Sequence, residues 1–294
     1  MDNSNQNHKS CFLIPLHPPD YRYLDSLELI VKKCNVQVYI VLSNRDETIE
    51  KVYNKLSYIY FNEIYKGNVT NWPTQKKLYG TKYIFDNTNY KYVISCDAEI
   101  KIENTFSPDT LTSICENFFT NKKFYGGDNC DVTFQLINSD CMQFINIDDW
   151  FVEKYKSIYF WFTELPIYEK NSYNLFFQSQ NLYNRSFVFN NYDYLLYAYW
   201  MCINMKFKII NWNNLEINQK LVLNCSGELI SNNRFLSLLE KNNIYLHWLS
   251  YNYANKIKRK YIILKYHTDR NKVNSIISNF KFFLYNIFKK SCQF

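Results

Sequence analysis

Two short apolar segments with a helical segment between them limit most strongly what this chain can fold into. Residues 11–16 and 36–42 are mainly apolar and rich in β-branched side chains, as short buried strands are. Between them, residues 21–34 place apolar side chains at the spacing of an amphipathic helix. A strand, a helix and a strand in this order form the βαβ unit of a parallel sheet. The sequence therefore predicts an α/β fold.

The same alternation continues through the first hundred residues. Residues 46–56 and a segment that begins near Asn71 predict helices, and residues 58–61 predict a third strand. A further apolar run, residues 90–96, leads to Asp97. In open α/β sheets, ligands bind outside the carboxyl ends of the strands. The polar segments that follow three of the strands are therefore predicted to meet at one edge: residues 15–20, 43–47 and 97–99.

Asp97 and Glu99 are the only two acidic residues in the chain that a single residue separates. In an extended segment, residues i and i+2 point to the same side, so both carboxylates would face one spot. Oxygen ligands of this kind suit Mg²⁺ or Mn²⁺. The pair is therefore predicted to bind a divalent cation. The alternative interpretation is a strand end whose carboxylates are solvated or cap the next turn.

The second half of the chain gives weaker patterns. The glycine pair at 126–127 predicts a loop or a backbone that lies close to a ligand. Residues 186–190 predict a strand, and residues 194–205 predict the helix that follows it. Asp193, at the start of that helix, is either a helix-dipole partner or a general base. His247 stands in an apolar run, where a histidine is more often part of the core than a ligand.

The net charge of +7 is concentrated at the end of the chain. From residue 255 to residue 294, ten lysine and arginine residues accompany a single acidic residue, Asp269. We therefore divide the chain into a disordered lead-in (1–9), a globular domain (10–254) and a basic amphipathic C-terminal extension (255–294). Residues 276–288 have the period of a helix, which either lies on an anionic membrane or docks on the core with its lysines solvated.

Cysteine usage and hydropathy indicate the compartment. The chain has an odd number of cysteines, nine, and no two of them form a C-x-x-C pair. This pattern favours free thiols in a reducing cytosol. No apolar run is long enough for a transmembrane helix, and the polar N-terminus does not resemble a signal peptide. The expected location is therefore cytoplasmic, with peripheral binding to the inner face of the plasma membrane as an option.

Several of these parts together resemble the GT-A-type nucleotide-sugar glycosyltransferases that build bacterial surface glycans. They are the first strand with its turn at 14–18, the helix with Lys77 and Gly80, the DxD-like Asp97-Ala98-Glu99, the acidic helix start at Asp193, and the late His247. The resemblance spans roughly residues 10–250 in order of elements. It implies a GT-A-like, Rossmann-type, mostly parallel sheet flanked by helices, with a basic C-terminal helical extension. Glutamate stands at 99 where the family usually has a second aspartate, and no Glu-Asp pair precedes the late helix.

The resemblance also implies roles for individual residues in a metal-dependent transfer of sugar from a nucleotide-sugar, foremost a UDP-sugar. The acceptor would be a hydroxyl of a capsule, lipooligosaccharide or O-antigen glycan. Asp97 would contact the ribose and the metal, Glu99 would bind Mn²⁺ or Mg²⁺, and His247 would be a further metal ligand. The other residues expected at the donor are Pro15, His17, Asn44, Arg45, Asp46 and Lys77. If the reaction inverts the anomeric centre, a carboxylate must deprotonate the acceptor, and the candidates are Asp193 and then Glu164.

Two other functions remain open from the sequence. A sugar-1-phosphate nucleotidyltransferase would need a glycine-rich phosphate loop after its first strand, and residues 15–19 contain no glycine. A non-enzymatic protein could bind a polyanion or a membrane through the basic extension. Nucleic acid is not an expected partner, because no nucleic-acid-binding motif accompanies the basic residues.

Overall fold

The computed structural model describes residues 8–98, 100–102, 105–128, 132–159, 166–211 and 263–265. The strands are β1 (Ser10–Pro15), β2 (Val38–Leu42), β3 (Ser57–Tyr60), β4 (Tyr92–Ser95), β5 (Ile100–Ile102), β6 (Lys123–Asp128), β7 (Ile158–Tyr159), β8 (Ile167–Glu169), β9 (Lys208–Asn211) and β10 (Ile263–Lys265). The α-helices are α1 (Leu24–Cys34), α2 (Glu47–Val52), α3 (Phe61–Ile64), α4 (Trp72–Asn87), α5 (Pro108–Asn121), α6 (Val132–Phe144), α7 (Asp149–Tyr155), α8 (Lys170–Ser179) and α9 (Asp193–Asn204). Two 3-10 helices, Pro18–Tyr23 and Leu182–Asn184, complete the described elements.

The central sheet has five strands in the order β3-β2-β1-β4-β8. The first four run parallel, and β8 pairs antiparallel with β4. Phe12 at the centre of the sheet is in register with Val38 on one side and with Ile94 on the other. The prediction of an α/β fold with a mostly parallel sheet flanked by helices is therefore confirmed.

Strand β1 is buried on both of its faces. Cys11 and Leu13 belong to one core, Phe12 and Ile14 belong to the other, and all four side chains are fully buried. Successive side chains of a strand point to opposite faces, so a strand covered on both sides is apolar throughout. Helices α4, α8 and α9 cover the first face, whereas α1 and α5 cover the second. This explains why β1 reads as a continuous apolar run.

Helix α4 lies unusually close to the sheet at Gly80. A Cβ atom at this position would lie 2.8 Å from Cδ1 of Leu13 and 2.9 Å from Cγ2 of Val41. Glycine therefore lets the helix axis approach the strands more closely than a larger residue would. The start of α4 is fixed as well, because Asn71 caps it by accepting a hydrogen bond from the backbone N–H of Thr74.

Two predictions for the second half of the chain are wrong. Residues 186–190 form no strand, because Asn71 donates its side-chain N–H groups to the carbonyls of Val188 and Phe189, which removes them from any ladder. The glycine pair at 126–127 lies inside β6, where Gly126 is in register with Asn211 of β9. The prediction of a loop there is therefore wrong, whereas a close approach of this backbone to a ligand stays a prediction.

Part of the C-terminal extension joins the domain. Ile263–Lys265 pairs antiparallel with Ile100–Ile102, so these three residues are strand rather than helix. The remainder of residues 255–294 lies outside the described residues, as do residues 1–7 of the lead-in. Within the described ranges, no helix has the length and apolarity needed to cross a membrane. The six cysteines of these ranges are free thiols, and five of them are buried.

Candidate functional site

The carboxyl ends of the four parallel strands meet at one edge of the sheet, where open α/β folds bind ligands. Four of the predicted site residues lie at these ends: His17 after β1, Asn44 and Arg45 after β2, and Asp97 after β4. Helix α4 begins at the same edge, because it leads the chain back to the start of β4. Its second turn brings two adjacent lysines, Lys76 and Lys77, to the strand ends.

Lys77 connects two acidic side chains that are almost a hundred residues apart in sequence. Its Nζ lies 2.8 Å from Oδ1 of Asp97 and 3.8 Å from Oδ1 of Asp193. The side chain of Asp97 is 44% exposed, whereas that of Asp193 is 5% exposed. The ammonium therefore links a carboxylate at the surface to one in the interior.

Asp193 is held from the other side by Tyr168. The Tyr168 hydroxyl donates a hydrogen bond of 2.5 Å to Oδ2 of Asp193. Tyr168 lies on β8 next to β4, and Asp193 is the first residue of α9, where a negative charge is favourable. Burial nevertheless raises the pKa of Asp193, although the ammonium of Lys77 and the hydroxyl of Tyr168 oppose this shift.

The pKa of Lys77 is also raised. Burial alone would lower it, but the carboxylates of Asp193 and Asp97 outweigh that effect. The two shifts have different causes: burial disfavours the charged carboxylate of Asp193, whereas the neighbouring carboxylates favour the charged ammonium of Lys77. Two carboxylates and one ammonium leave the cluster with a net negative charge. Such a cluster also favours the arrival of another cation.

Lys76, the neighbour of Lys77, is completely buried. Its Nζ donates a hydrogen bond of 2.7 Å to the carbonyl of Leu16, just beyond the end of β1. Burial lowers the pKa of Lys76 to about 8, and Asp20 offsets part of this shift. Burial and the charge of Lys76 in turn lower the pKa of His17, so this imidazole is uncharged at neutral pH.

Two of the residues predicted to bind the donor have structural partners. Pro15 is buried as the last residue of β1, in register with Val41. Asp46 caps α2, because its Oδ1 accepts a hydrogen bond of 3.2 Å from the backbone N–H of Ile49. Any contact of these two residues with a nucleotide stays a prediction.

Asn44 and Arg45 are exposed at the end of β2. The Arg45 guanidinium lies 4.7 Å from the ring centroid of Tyr60, and its Nη2 lies 3.8 Å from Oε1 of Glu63. Ion pairs between exposed side chains stabilise little, so the guanidinium can exchange this partner for a ligand at low cost. The predicted place of Asn44 and Arg45 near the nucleotide base is compatible with their exposure at the end of β2 and stays a prediction.

The predicted metal ligands are only partly described. Asp97 lies within the described residues, whereas Glu99 and His247 lie outside them, and so does the second candidate base, Glu164. Among the described residues, no group of three or more His, Cys, Asp or Glu side chains could hold a metal ion. Asp97 supplies one carboxylate of the hard oxygen type that Mn²⁺ or Mg²⁺ prefers.

Sequence reasoning missed three residues of this site. The two adjacent lysines, 76 and 77, suggested that one of them reaches the strand ends, but the pattern did not tell which one. In the structure both do. No local sequence pattern distinguishes Tyr168 from the many other tyrosines. Asn71 was recognised as a helix start, yet its side chain also donates hydrogen bonds to the carbonyls of Val188, Phe189 and Asn191, which fixes the loop before Asp193.

Comparisons with known proteins give only weak likenesses. No protein-family model matches the chain, and no curated protein matches it. A protein from Desulfovibrio desulfuricans described as a nucleotide-diphospho-sugar transferase is 13% identical, with 42% of this chain and 59% of that chain covered at a TM-score of 0.27. A mannose-1-phosphate geranyltransferase from Thermus thermophilus is 9% identical, with 42% of each chain covered at a TM-score of 0.26. The chain thus spans less than two thirds of either neighbour, and at these scores neither likeness decides a fold or an activity.

Proposed function

We propose that this chain transfers a sugar from a nucleotide-sugar, foremost a UDP-sugar, to a hydroxyl group of a glycan. The observation that carries the proposal is the cluster of Asp97, Lys77 and Asp193 at the carboxyl end of β4. At the edge where α/β sheets bind ligands, it combines an exposed carboxylate, an ammonium and a buried counter-charge. These are the groups that a nucleoside diphosphate and its cation require.

The chemistry needs positive charge at the leaving group. When the bond between the anomeric carbon and phosphate breaks, negative charge develops on the nucleoside diphosphate. Lys77 is held at the sheet edge, where its ammonium can donate to diphosphate oxygens. Mn²⁺ or Mg²⁺, when bound, would stabilise the same charge as a Lewis acid. In this proposal Asp97 holds that cation together with Glu99 and His247.

We assign Asp193 to the positioning of Lys77. Its carboxylate is almost completely buried, and its two oxygens face Lys77 and the hydroxyl of Tyr168. This burial supports a counter-charge better than a base that must reach an acceptor hydroxyl. For an inverting reaction we therefore propose Glu164, the second candidate from the sequence, as the base.

The acceptor and the place of action rest on the sequence resemblance. We propose a hydroxyl of a bacterial capsule, lipooligosaccharide or O-antigen glycan as acceptor, and transfer on the cytoplasmic side. Nucleotidyl transfer has less support, because β1 leads through Leu16 and His17 into a 3-10 helix that begins with Pro18. This turn lacks the glycines that wrap a phosphate.

Calorimetric titration with UDP tests the proposal. We expect wild type to bind UDP in the presence of Mn²⁺, and Asp97→Ala to bind it at least about tenfold more weakly, a difference of about 1.4 kcal/mol. Asp86→Ala is the matched control, because Asp86 is 45% exposed and also pairs with a lysine of α4, Lys82. Equal UDP binding by wild type and Asp97→Ala, with and without Mn²⁺, would contradict the proposal. Release of UDP from a panel of UDP-sugars then identifies the donor.

A further inference from the structure

The edge of the structure opposite the candidate site is strongly basic. Six exposed lysines lie there, which we call the lysine face: Lys9, Lys91, Lys122, Lys123, Lys206 and Lys208. Four of them lie just before a strand or at its first residue. The other two, Lys122 and Lys206, follow helices that end at this edge. Backbone hydrogen bonds join two pairs of these lysines. The N–H of Lys91 donates to the carbonyl of Lys9 at 2.8 Å, and the N–H of Lys208 donates to the carbonyl of Lys122 at 2.9 Å.

A cleft of about 950 Å³ opens on the lysine face. Lys91, Lys122 and Lys206 line it, and Tyr92 and Phe119 form a stacked aromatic pair in its wall. The acidic side chains against these lysines are engaged. Glu116 lies 3.7 Å from Lys9, and Glu169 caps α8 by accepting from the backbone N–H of Ser172. Six lysines less two carboxylates leave the face with a net charge of +4.

Favourable local interactions do not explain this arrangement. Helix C-termini attract cations, which would account for Lys122 and Lys206 after α5 and α9. Both residues, however, adopt left-handed backbone conformations (φ 50° and 62°), where glycine or asparagine is preferred. Lys123 and Lys208 occupy facing positions on neighbouring strands, where like charges repel each other. At these four positions, backbone conformation or the repulsion of like charges opposes lysine.

Apolar side chains accompany the charge. Leu175, which lines the cleft on α8, is 60% exposed, and Ile203 on α9, beside the cleft residue Asn204, is 50% exposed. Lysines around exposed aliphatic side chains are typical of surfaces that lie on anionic lipid headgroups. Nucleic acids are contacted mainly at phosphates by cationic and polar side chains, so exposed leucine and isoleucine beside the lysines favour a lipid surface.

We propose that the lysine face docks this protein on an anionic lipid bilayer, with Leu175 and Ile203 entering the headgroup region. This proposal does not depend on the proposed transfer reaction. It differs from membrane binding through residues 255–294, because it assigns the contact to the folded domain. The six residues of β1 span about 20 Å, so the bilayer would lie about that far from the carboxyl ends of the strands.

Vesicle sedimentation tests the proposal with the full chain. Vesicles contain equal parts of phosphatidylcholine and phosphatidylglycerol, or phosphatidylcholine alone. We compare wild type with a face variant that combines Lys122→Gln, Lys123→Gln and Lys208→Gln. The matched control combines Lys66→Gln, Lys154→Gln and Lys156→Gln, three lysines that follow α3 or lie next to the start of β7, away from the lysine face, so both variants lose the same charge.

We expect wild type and the control variant to bind the anionic vesicles. The face variant should bind about a hundredfold more weakly, since each of the three lysines contributes roughly fivefold near an anionic surface. Leu175→Ser should weaken binding at high salt, where charge attraction is screened. Equal binding by both triple variants would overturn the proposal, and so would absence of wild-type binding. Tighter binding of the wild type to duplex RNA than to the vesicles, lost in the face variant, would identify nucleic acid as the partner instead.

Discussion

Lys76 and Lys77 are adjacent in sequence, yet their surroundings shift their pKa values in opposite directions. Lys77 lies between two carboxylates that raise its pKa, whereas Lys76 faces a backbone carbonyl in a buried place that lowers its pKa to about 8. Neighbouring residues of a helix point about 100° apart. This angle directs the amine of Lys77 to carboxylates and the amine of Lys76 to a backbone carbonyl.

Replacement of Lys77 tests its role as the counter-charge of Asp193. Lys77→Met leaves a buried carboxylate without its cation, so the free energy of unfolding at neutral pH should fall by about 3 kcal/mol. Lys77→Met combined with Asp193→Asn should recover most of this loss, because no unpaired charge remains. Urea unfolding measures both variants.

The matched control for this cycle is Lys82→Met. Lys82 lies on the same helix and is as buried as Lys77, but its partner Asp86 is exposed, so the loss should stay below about 1 kcal/mol.

The effect of Lys77→Met on the free energy of unfolding should also shrink as the pH falls. Burial raises the pKa of Asp193, and a carboxyl with a raised pKa favours folding only while it is protonated, so acid relieves the unpaired charge. Equal losses in the single and double variants would contradict the assignment.

Lys76 should give stability an alkaline pH dependence. The folded protein releases the proton of Lys76 near pH 8, whereas the unfolded chain keeps it to about pH 10.4. Between these values the unfolded state binds more protons, so wild-type stability should rise with pH relative to Lys76→Met. Urea unfolding of both proteins at several pH values measures the difference. A difference that does not change across this window would contradict the burial of a charged amine.

The sequence predicted the cluster around Lys77 only in part. Asp97, Lys77 and Asp193 were each identified, because each stands at the end of a strand or near the start of a helix. Their mutual contacts were not predictable, since Asp97 and Asp193 meet only through the tertiary approach of α9 to α4. The hydroxyl of Tyr168 was also out of reach, because no local pattern distinguishes it from the other tyrosines.

Among the elements, α4 decides the geometry of the candidate site. Its cap Asn71 fixes the loop that precedes α9, Gly80 sets its distance from the sheet, and Lys77 reaches the strand ends. The helix, its start and the parallel strands beside it were predicted, because helical and strand periods are local signals. The predicted strand at 186–190 is wrong because the side chain of Asn71, the cap of α4, donates hydrogen bonds to the carbonyls of Val188 and Phe189.

Asn71→Asp separates the two roles of this residue. Aspartate keeps an oxygen that can cap α4. It has no N–H groups, however, and therefore loses the hydrogen bonds that Asn71 donates to the carbonyls of Val188, Phe189 and Asn191. We expect a loss of about 2 kcal/mol in the free energy of unfolding and faster amide hydrogen exchange in residues 186–192. Exchange in α4 itself should remain slow. If that loop exchanges as in wild type, the hydrogen bonds do not fix it.

At the scale of the whole molecule, β1 joins the two cores that cover the faces of the sheet. Cys11 and Cys141 lie in one core and Cys115 lies in the other, and all three are fully buried. Burial raises the pKa of each thiol, to about 12 for Cys115. Because β1 contributes side chains to both cores, we expect the two cores to lose their packing together.

Thiol alkylation tests this cooperativity. Iodoacetamide should modify Cys11, Cys115 and Cys141 at one common rate that rises with urea in parallel with global unfolding, because only the thiolate of an opened chain reacts. Mass spectrometry of the modified peptides measures the three rates separately. Faster reaction of Cys115 than of Cys11 in dilute urea would mean that the α1–α5 side opens independently.

The long separation of the partners of Lys77 has a consequence for the newly made chain. Chains emerge from the ribosome at about 5–20 residues per second, so Asp193 follows Asp97 by roughly 5 to 20 seconds. During that interval β1 to β4 can pair, and Lys77 can find Asp97, while the place of Asp193 and the loop held by Asn71 is still empty. Variants that weaken this late closure should therefore leave a nascent chain whose sheet has formed but whose candidate site has not, a state that chaperones and proteases can recognise.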